Sequence, residues 1–187
     1  MLQWNECTPE IVRRYHEQAF LVLRNVLSAD QAQHFYHSTE NIVIRQVICG
    51  EKTVQFGEQK IPVGHPIHTF FATHAFVRVL LSLTHTSQVN HLTCWTSVYR
   101  SGEYINAHRD RSGTIQAIVC LHAPPDETYG GMLILSLKEK EQHIFLQPGD
   151  AVVFDATTIQ HCTTPIRDMK DQPPPKRVVA VGRYYMH

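Results

Sequence analysis

The sequence has no CxxC pair, and its five cysteines, at 7, 49, 94, 120 and 162, are an odd number spread along the chain. That excludes a disulfide scaffold and a cysteine-rich zinc site, and it fits a reduced, intracellular protein. There is no excess of charge: Lys+Arg and Asp+Glu both number 17, so the formal net charge is zero. Bulk electrostatic attraction to nucleic acid or to an anionic membrane is therefore missing, which leaves only local patches. No apolar run is long enough to span a bilayer. The most apolar stretch, 70–83, is interrupted by Thr73, His74, Arg78 and Ser82. The opening residues, MLQWNECTPEIVRRYHE, lack the charged-then-apolar pattern of a signal peptide. Internal repeats and low-complexity tracts are also absent. The expectation is a soluble, cytoplasmic protein.

What is present is ordinary for a globular chain: 187 residues, 43% hydrophobic and 18% charged. That is room for one domain, 1–187, with a core that needs no staples. Thirteen histidines are many for this length and invite a metal reading.

Thr8 followed by Pro9 starts a helix that runs to about Gln18. Phe20–Leu27 is apolar and β-rich and reads as a strand. Ser28 with Gln31 forms a capping-box pattern that opens a second helix to about His37. Asn41–Cys49 reads as another strand. Glu51–Thr69 has two glycines, two prolines and no sustained period, so it is expected to be mostly loop, a cover over a site. Phe70–Leu83 is expected to be one long buried helix. From His91 the pattern changes to short strand-like segments at 91–99, 103–108, 114–121, 131–137, 143–146, 151–155 and 177–185, separated by turn signals such as QPGD at 147–150. Helical and strand support over 1–90, then a β core over 91–187, implies a mainly β fold with flanking helices, a double-sheet or barrel-like core.

The chemistry centres on His108-Arg109-Asp110. On a strand, His108 and Asp110 share a face. His161, delivered by the turn and buried strand of QPGDAVVFDATTIQ, is the natural third ligand. Two imidazoles and one carboxylate make the facial triad of non-haem Fe(II) oxygenases, which leaves one octahedral face open for a cosubstrate and O2. An HxD on its own is common and carries little weight. The His65-x2-His68 pair has no matching cysteine or carboxylate and reads as solvated loop histidines. Cys162 reads as packing.

The surroundings of the triad add specificity. Tyr99-x-x-Gly102 precedes His108-x-Asp110, GGMLIL at 130–135 and PGDAVVFD at 148–155 follow, and Arg177 opens the last strand, sixteen residues after His161. In this order the set resembles the Fe(II)- and 2-oxoglutarate-dependent oxygenase superfamily, in its prolyl-4-hydroxylase-like and phytanoyl-hydroxylase-like branches. Residues 15–31 also resemble the N-terminal segment of the second branch. The resemblance implies a double-stranded β-helix (jelly-roll) core with N-terminal helices. It implies Fe(II) held by His108, Asp110 and His161, with 2-oxoglutarate and O2 as cosubstrates. Arg177 would grip the distal carboxylate of 2-oxoglutarate through its planar fork, with Tyr99 hydrogen-bonded to the same group. Many members carry Ser or Thr two residues after that arginine, where this chain has Val179. Halogenating relatives lack the carboxylate ligand. Asp110 is present here, so hydroxylation or another oxidation is expected, with succinate and CO2 as coproducts.

Arg183 shares parity with Arg177 along the last strand, and an inward arginine needs an anion. It is the candidate for binding a substrate or cosubstrate carboxylate, with Trp95 and Ser97, which share parity with Tyr99, as further pocket residues. The expected substrate is a small polar metabolite such as an amino acid, because so short a chain leaves little surface beyond the barrel. The alternatives are an AlkB-like or peptide-directed oxygenase acting on a macromolecule, and a non-enzymatic β-barrel binding module. The Arg177-x5-Arg183 spacing resembles the AlkB-like enzymes, but zero net charge argues against a nucleic-acid partner.

Overall fold

A computed structural model describes residues 8–39, 42–49, 52–137, 140–170 and 172–186. Helix α1, Pro9–Gln18, starts where expected. Thr8 is its N-cap, Pro9 sits in its first turn, and Ala19 ends it in the left-handed region. Strand β1, Phe20–Leu23, is shorter than the apolar run suggested. The chain turns at Asn25, whose φ is 53°. Helix α2, Ala29–His37, carries both halves of the capping box: Ser28 Oγ accepts from Gln31 N–H at 3.2 Å, and Ser28 N–H donates to Gln31 Oε1 at 2.9 Å.

The region expected to be a covering loop is not one. Strand β2, Val43–Cys49, pairs with β3, Lys52–Ile61, and β3 pairs in turn with β4, Val89–Tyr99. Residues 41 and 51 lie outside the described residues. The single helix expected over 70–83 is two helices: α3, Pro66–Phe71, and α4, His74–Thr84. Thr73 makes the break, since its hydroxyl donates to Phe70 C=O at 2.8 Å and accepts from Phe76 N–H at 3.4 Å. Among the described residues no helix is long and apolar enough to cross a membrane.

The rest is antiparallel strand. β5 is Ile115–His122, β6 Leu133–Leu137, β7 Lys140–Ile144, β8 Ala151–Phe154, β9 Gln160–Thr163 and β10 Arg177–Met186. They form a seven-stranded sheet in the order β1-β8-β5-β10-β4-β3-β2 and a three-stranded sheet in the order β7-β6-β9. Period-two alternation divides the core in two. On β10, Val178, Ala180 and Tyr184 face the helices, packing with Phe71, Phe76 and Leu80. Val179 and Val181 face the other way, packing with Leu133, Leu135 and Phe154 between the sheets. The interior between the sheets is therefore the place where an inward polar side chain must find a partner or a ligand.

Candidate metal and cosubstrate site

His108 and Asp110 are not on a regular strand. The expected strand at 103–108 is an irregular segment held against β9, an element that the sequence pattern did not reveal. Ile105 C=O accepts from Thr163 N–H at 3.0 Å, and Ile105 N–H donates to Thr163 Oγ1 at 3.0 Å. His108 and His161 then exchange both backbone hydrogen bonds, at 3.0 and 2.8 Å. Asp110 N–H donates to Ala156 C=O at 2.8 Å. This pairing brings the two imidazoles together, with ring centroids 4.2 Å apart. Potential ligand atoms of His108, Asp110 and His161 all lie within 4.8 Å of one another.

Each imidazole is oriented by its own chain. Nδ1 of His108 lies 2.6 Å from Asn106 C=O, and Nδ1 of His161 lies 3.1 Å from Ile159 C=O. When those nitrogens carry the proton, each Nε2 is left with a free lone pair, which is the arrangement a metal-ligating histidine needs. Phe154 packs edge-on against His161 with centroids 5.0 Å apart. Burial, and then the nearby His108, push the His161 pKa down to about 4, which favours the neutral, ligating form near pH 7. His161 is buried, while His108 and Asp110 are half-buried and face a cleft of about 960 Å³.

Arg177 lines the same cleft and is 2% exposed. Burial lowers its pKa, against small opposing contributions from Cys120 and Tyr99. Among the described residues no carboxylate and no hydrogen-bond acceptor reaches its guanidinium. Tyr99 is its register partner on β4 and stacks on Phe56, with centroids 5.5 Å apart. Burial raises the Tyr99 pKa, opposed by Arg177 and by a hydrogen bond with Ser97. Gly131 makes room for this corner: its φ is +71°, and a Cβ there would meet Ile166 Cδ1 at 2.6 Å and Arg177 Cδ at 3.3 Å. Val179 faces the core, and its register partner across the ladder is Ser97, a buried hydroxyl that also lines the cleft. Ser97 shares its face of β4 with Tyr99, as parity along the strand predicts.

Arg183 is engaged by the site itself. Its Nη2 donates to Asp110 Oδ2 at 2.5 Å and to Gln116 Oε1 at 3.3 Å, and its guanidinium lies 4.9 Å from the Trp95 ring centroid. Gln116 escaped the sequence reading, although a buried glutamine inside the apolar run IQAIVCL was a signal for it. Further out, Glu58, Lys60 and His68 line the cleft. Glu58 is paired with Arg45 at 2.9 Å. The two loop histidines separate: His65 caps α3 through Nδ1, and His68 sits on that helix. Burial pushes the Cys94 and Cys120 thiols up to about 12 and raises Cys162 as well, which suits packing rather than nucleophilic roles.

No protein-family model and no curated sequence matches the chain. Solved structures do. A 2OG-Fe(II) oxygenase-family oxidoreductase from Burkholderia pseudomallei superposes with a TM-score of 0.77 at 12% identity, covering 97% of this chain and 94% of that one. A prolyl hydroxylase from Trichoplax adhaerens, solved with a hypoxia-inducible-factor peptide fragment, has a TM-score of 0.71 at 14% identity, covering 94% and 87%. The α-ketoglutarate-dependent carbocyclase SnoK of nogalamycin biosynthesis has a TM-score of 0.73 at 16% identity, covering 99% and 86%. The fold is that of the 2-oxoglutarate/Fe(II) oxygenases, with their jelly-roll core.

Proposed function

We propose that the chain is an Fe(II)- and 2-oxoglutarate-dependent oxygenase. The observation that carries this reading is the buried guanidinium of Arg177, without an acceptor, in the same cleft as the clustered His108, Asp110 and His161. A buried charge needs an anion, and a cluster of two imidazoles and a carboxylate needs a cation. An iron-bound 2-oxo diacid satisfies both at once.

His108, Asp110 and His161 would hold the metal. The Nδ1 contacts to Asn106 and Ile159 would leave both Nε2 lone pairs free for it, and Asp110 would offset part of its charge. Arg177 and Tyr99 would bind the distal carboxylate of the cosubstrate, with Ser97 beside them. When bound, Fe(II) and 2-oxoglutarate supply the O2-activating chemistry, which no side chain here provides. Phe56, Leu133, Val179 and Val181 line the cleft and limit water around the cosubstrate. Trp95, half-buried beside Arg183, and the exposed Lys60 also line the cleft and would face the substrate.

A cleft of about 960 Å³ with charged and aromatic walls suits a small polar metabolite such as an amino acid. A peptide substrate is the second reading. It is favoured by β2, a sheet-edge strand with Val43 and Ile44 exposed, paired with β3, whose Phe56, Glu58 and Lys60 line the cleft. The test is Fe(II)- and 2-oxoglutarate-dependent succinate formation across a panel of free amino acids, related metabolites and short peptides. At least one compound should stimulate turnover above the uncoupled rate, and Asp110→Ala should reduce it about 100-fold or more. No visible charge-transfer band on anaerobic addition of Fe(II) and 2-oxoglutarate, together with no succinate, would leave a binding module instead.

A further inference from the structure

The contact between Arg183 and Asp110 bears on how the carboxylate can meet a metal. Oδ2 of Asp110 is taken by Arg183 Nη2 at 2.5 Å, whereas Oδ1 lies 3.7 Å from His108 Nε2, on the side that the imidazoles share. The arginine is itself held by three features. Gln116, its cross-strand partner on β5, accepts from the same Nη2 at 3.3 Å. The Trp95 ring lies under the guanidinium at 4.9 Å. The aliphatic stem lies across Gly113, where a Cβ would meet Arg183 Cγ at 2.6 Å and Cδ at 2.8 Å. Gly113 also has φ +90°, so a glycine suits that position on both counts. The arrangement leaves Arg183 Nε buried without an acceptor. The side chain is therefore placed to serve Asp110 rather than to satisfy all of its own donors.

We propose that Arg183 is a positioning residue that restricts Asp110 to offering a metal one oxygen. This rests on the oxygenase reading and extends it. A carboxylate with both oxygens free can chelate an ion through both and so fill one more coordination position. A guanidinium on Oδ2, held by charge-assisted hydrogen bonding, removes that option and keeps the position open. The residue acts through Asp110, and the cradle of Trp95, Gln116 and Gly113 fixes where it acts from.

The test counts metal-bound water without any turnover. Mn(II) is added to the protein without cosubstrate, in water enriched in the magnetic oxygen isotope, and the broadening of the EPR lines is measured. Arg183→Met, which keeps most of the stem, should show one inner-sphere water fewer than the unsubstituted protein, because Asp110 turns to bind through both oxygens. If Arg183→Met does not fold, Arg183→Leu is read in the same way, since it too leaves Oδ2 without a charged donor. An unchanged water count in a folded, Mn(II)-binding variant overturns the positioning role and leaves the oxygenase reading intact. Failure of the unsubstituted protein to bind Mn(II) at all is the different result, and it removes the oxygenase reading itself.

Discussion

Arg177 shows at the scale of one residue what a binding site costs its own protein. It is a buried cation with no anionic partner among the described residues, and burial works against its charged form. Arginine remains charged even so, and the penalty stands until an anion arrives. Replacing it with an apolar side chain of similar length should therefore stabilise the ligand-free protein while removing its affinity for a dicarboxylate. For Arg177→Met we expect a gain on the order of 1–3 kcal/mol in apo stability, by urea or thermal unfolding. 2-Oxoglutarate binding by calorimetry in the presence of Mn(II) should be lost. A variant less stable than its parent that still binds 2-oxoglutarate would show that Arg177 serves the fold alone. This residue was picked out in the sequence, with His108, Asp110 and His161, through the family resemblance that their order along the chain carries. Ser97 was too, from its parity with Tyr99, whereas Gln116 and Gly113 were not. Each matters only through a neighbour on another strand, and register is not written in a single stretch of sequence.

At the scale of elements, the starts of α1 and α2 and the strands β4, β5 and β10 could be read, whereas β3, β9 and the break between α3 and α4 could not. Capping chemistry is local, so Thr8, Pro9, Ser28 and Gln31 announced α1 and α2 directly. Thr73 carried the same signal inside the apolar stretch 70–83, where the hydrophobic pattern masked it. The threonine hydroxyl closes α3 and opens α4, so Thr73→Ala should cost about 1 kcal/mol. Measured by chemical denaturation, that loss should be largely restored by Thr73→Ser, which keeps the hydroxyl. Equal losses in the two variants would mean that the threonine methyl, not the cap, holds the junction. β3 and β9 went unread for a different reason. An inward face that lines a polar cleft carries Glu58 and Lys60 on one strand and His161 on the other, so the apolar alternation that marks a strand is erased at the site. On β4 and β10, where apolar residues dominate, the alternation survived and the strands were read.

At the scale of the whole molecule, the proposed ligands join parts that the backbone ties loosely. The two sheets are separate ladders, and the isolated bridges Ser101–Ile166 and His108–His161 tie the segment after β4 to β9 and the stretch beyond it. Tyr99 and Arg177 belong to the large sheet, His161 to the small one, and Asp110 to the segment between β4 and β5. A metal on the triad, with a dicarboxylate reaching from it to Arg177, would cross-link all three. Both ligands select the folded state, because the unfolded chain has no site to offer. At free concentrations near 100 times the dissociation constant, one such ligand adds about 2.7 kcal/mol. For a domain of this size, that corresponds to roughly 5 to 11 °C in melting temperature. Mn(II) alone should therefore raise the melting temperature in that range, and 2-oxoglutarate added with it should give a further rise of about the same size. The same additions to Asp110→Ala should do little, because the carboxylate that binds the metal's charge is gone. Arg177→Met should separate the two ligands, retaining the response to Mn(II) and losing the further rise with 2-oxoglutarate. A rise of equal size in Asp110→Ala would place the metal elsewhere on the protein, and no rise in the parent would mean that the clustered side chains do not bind one.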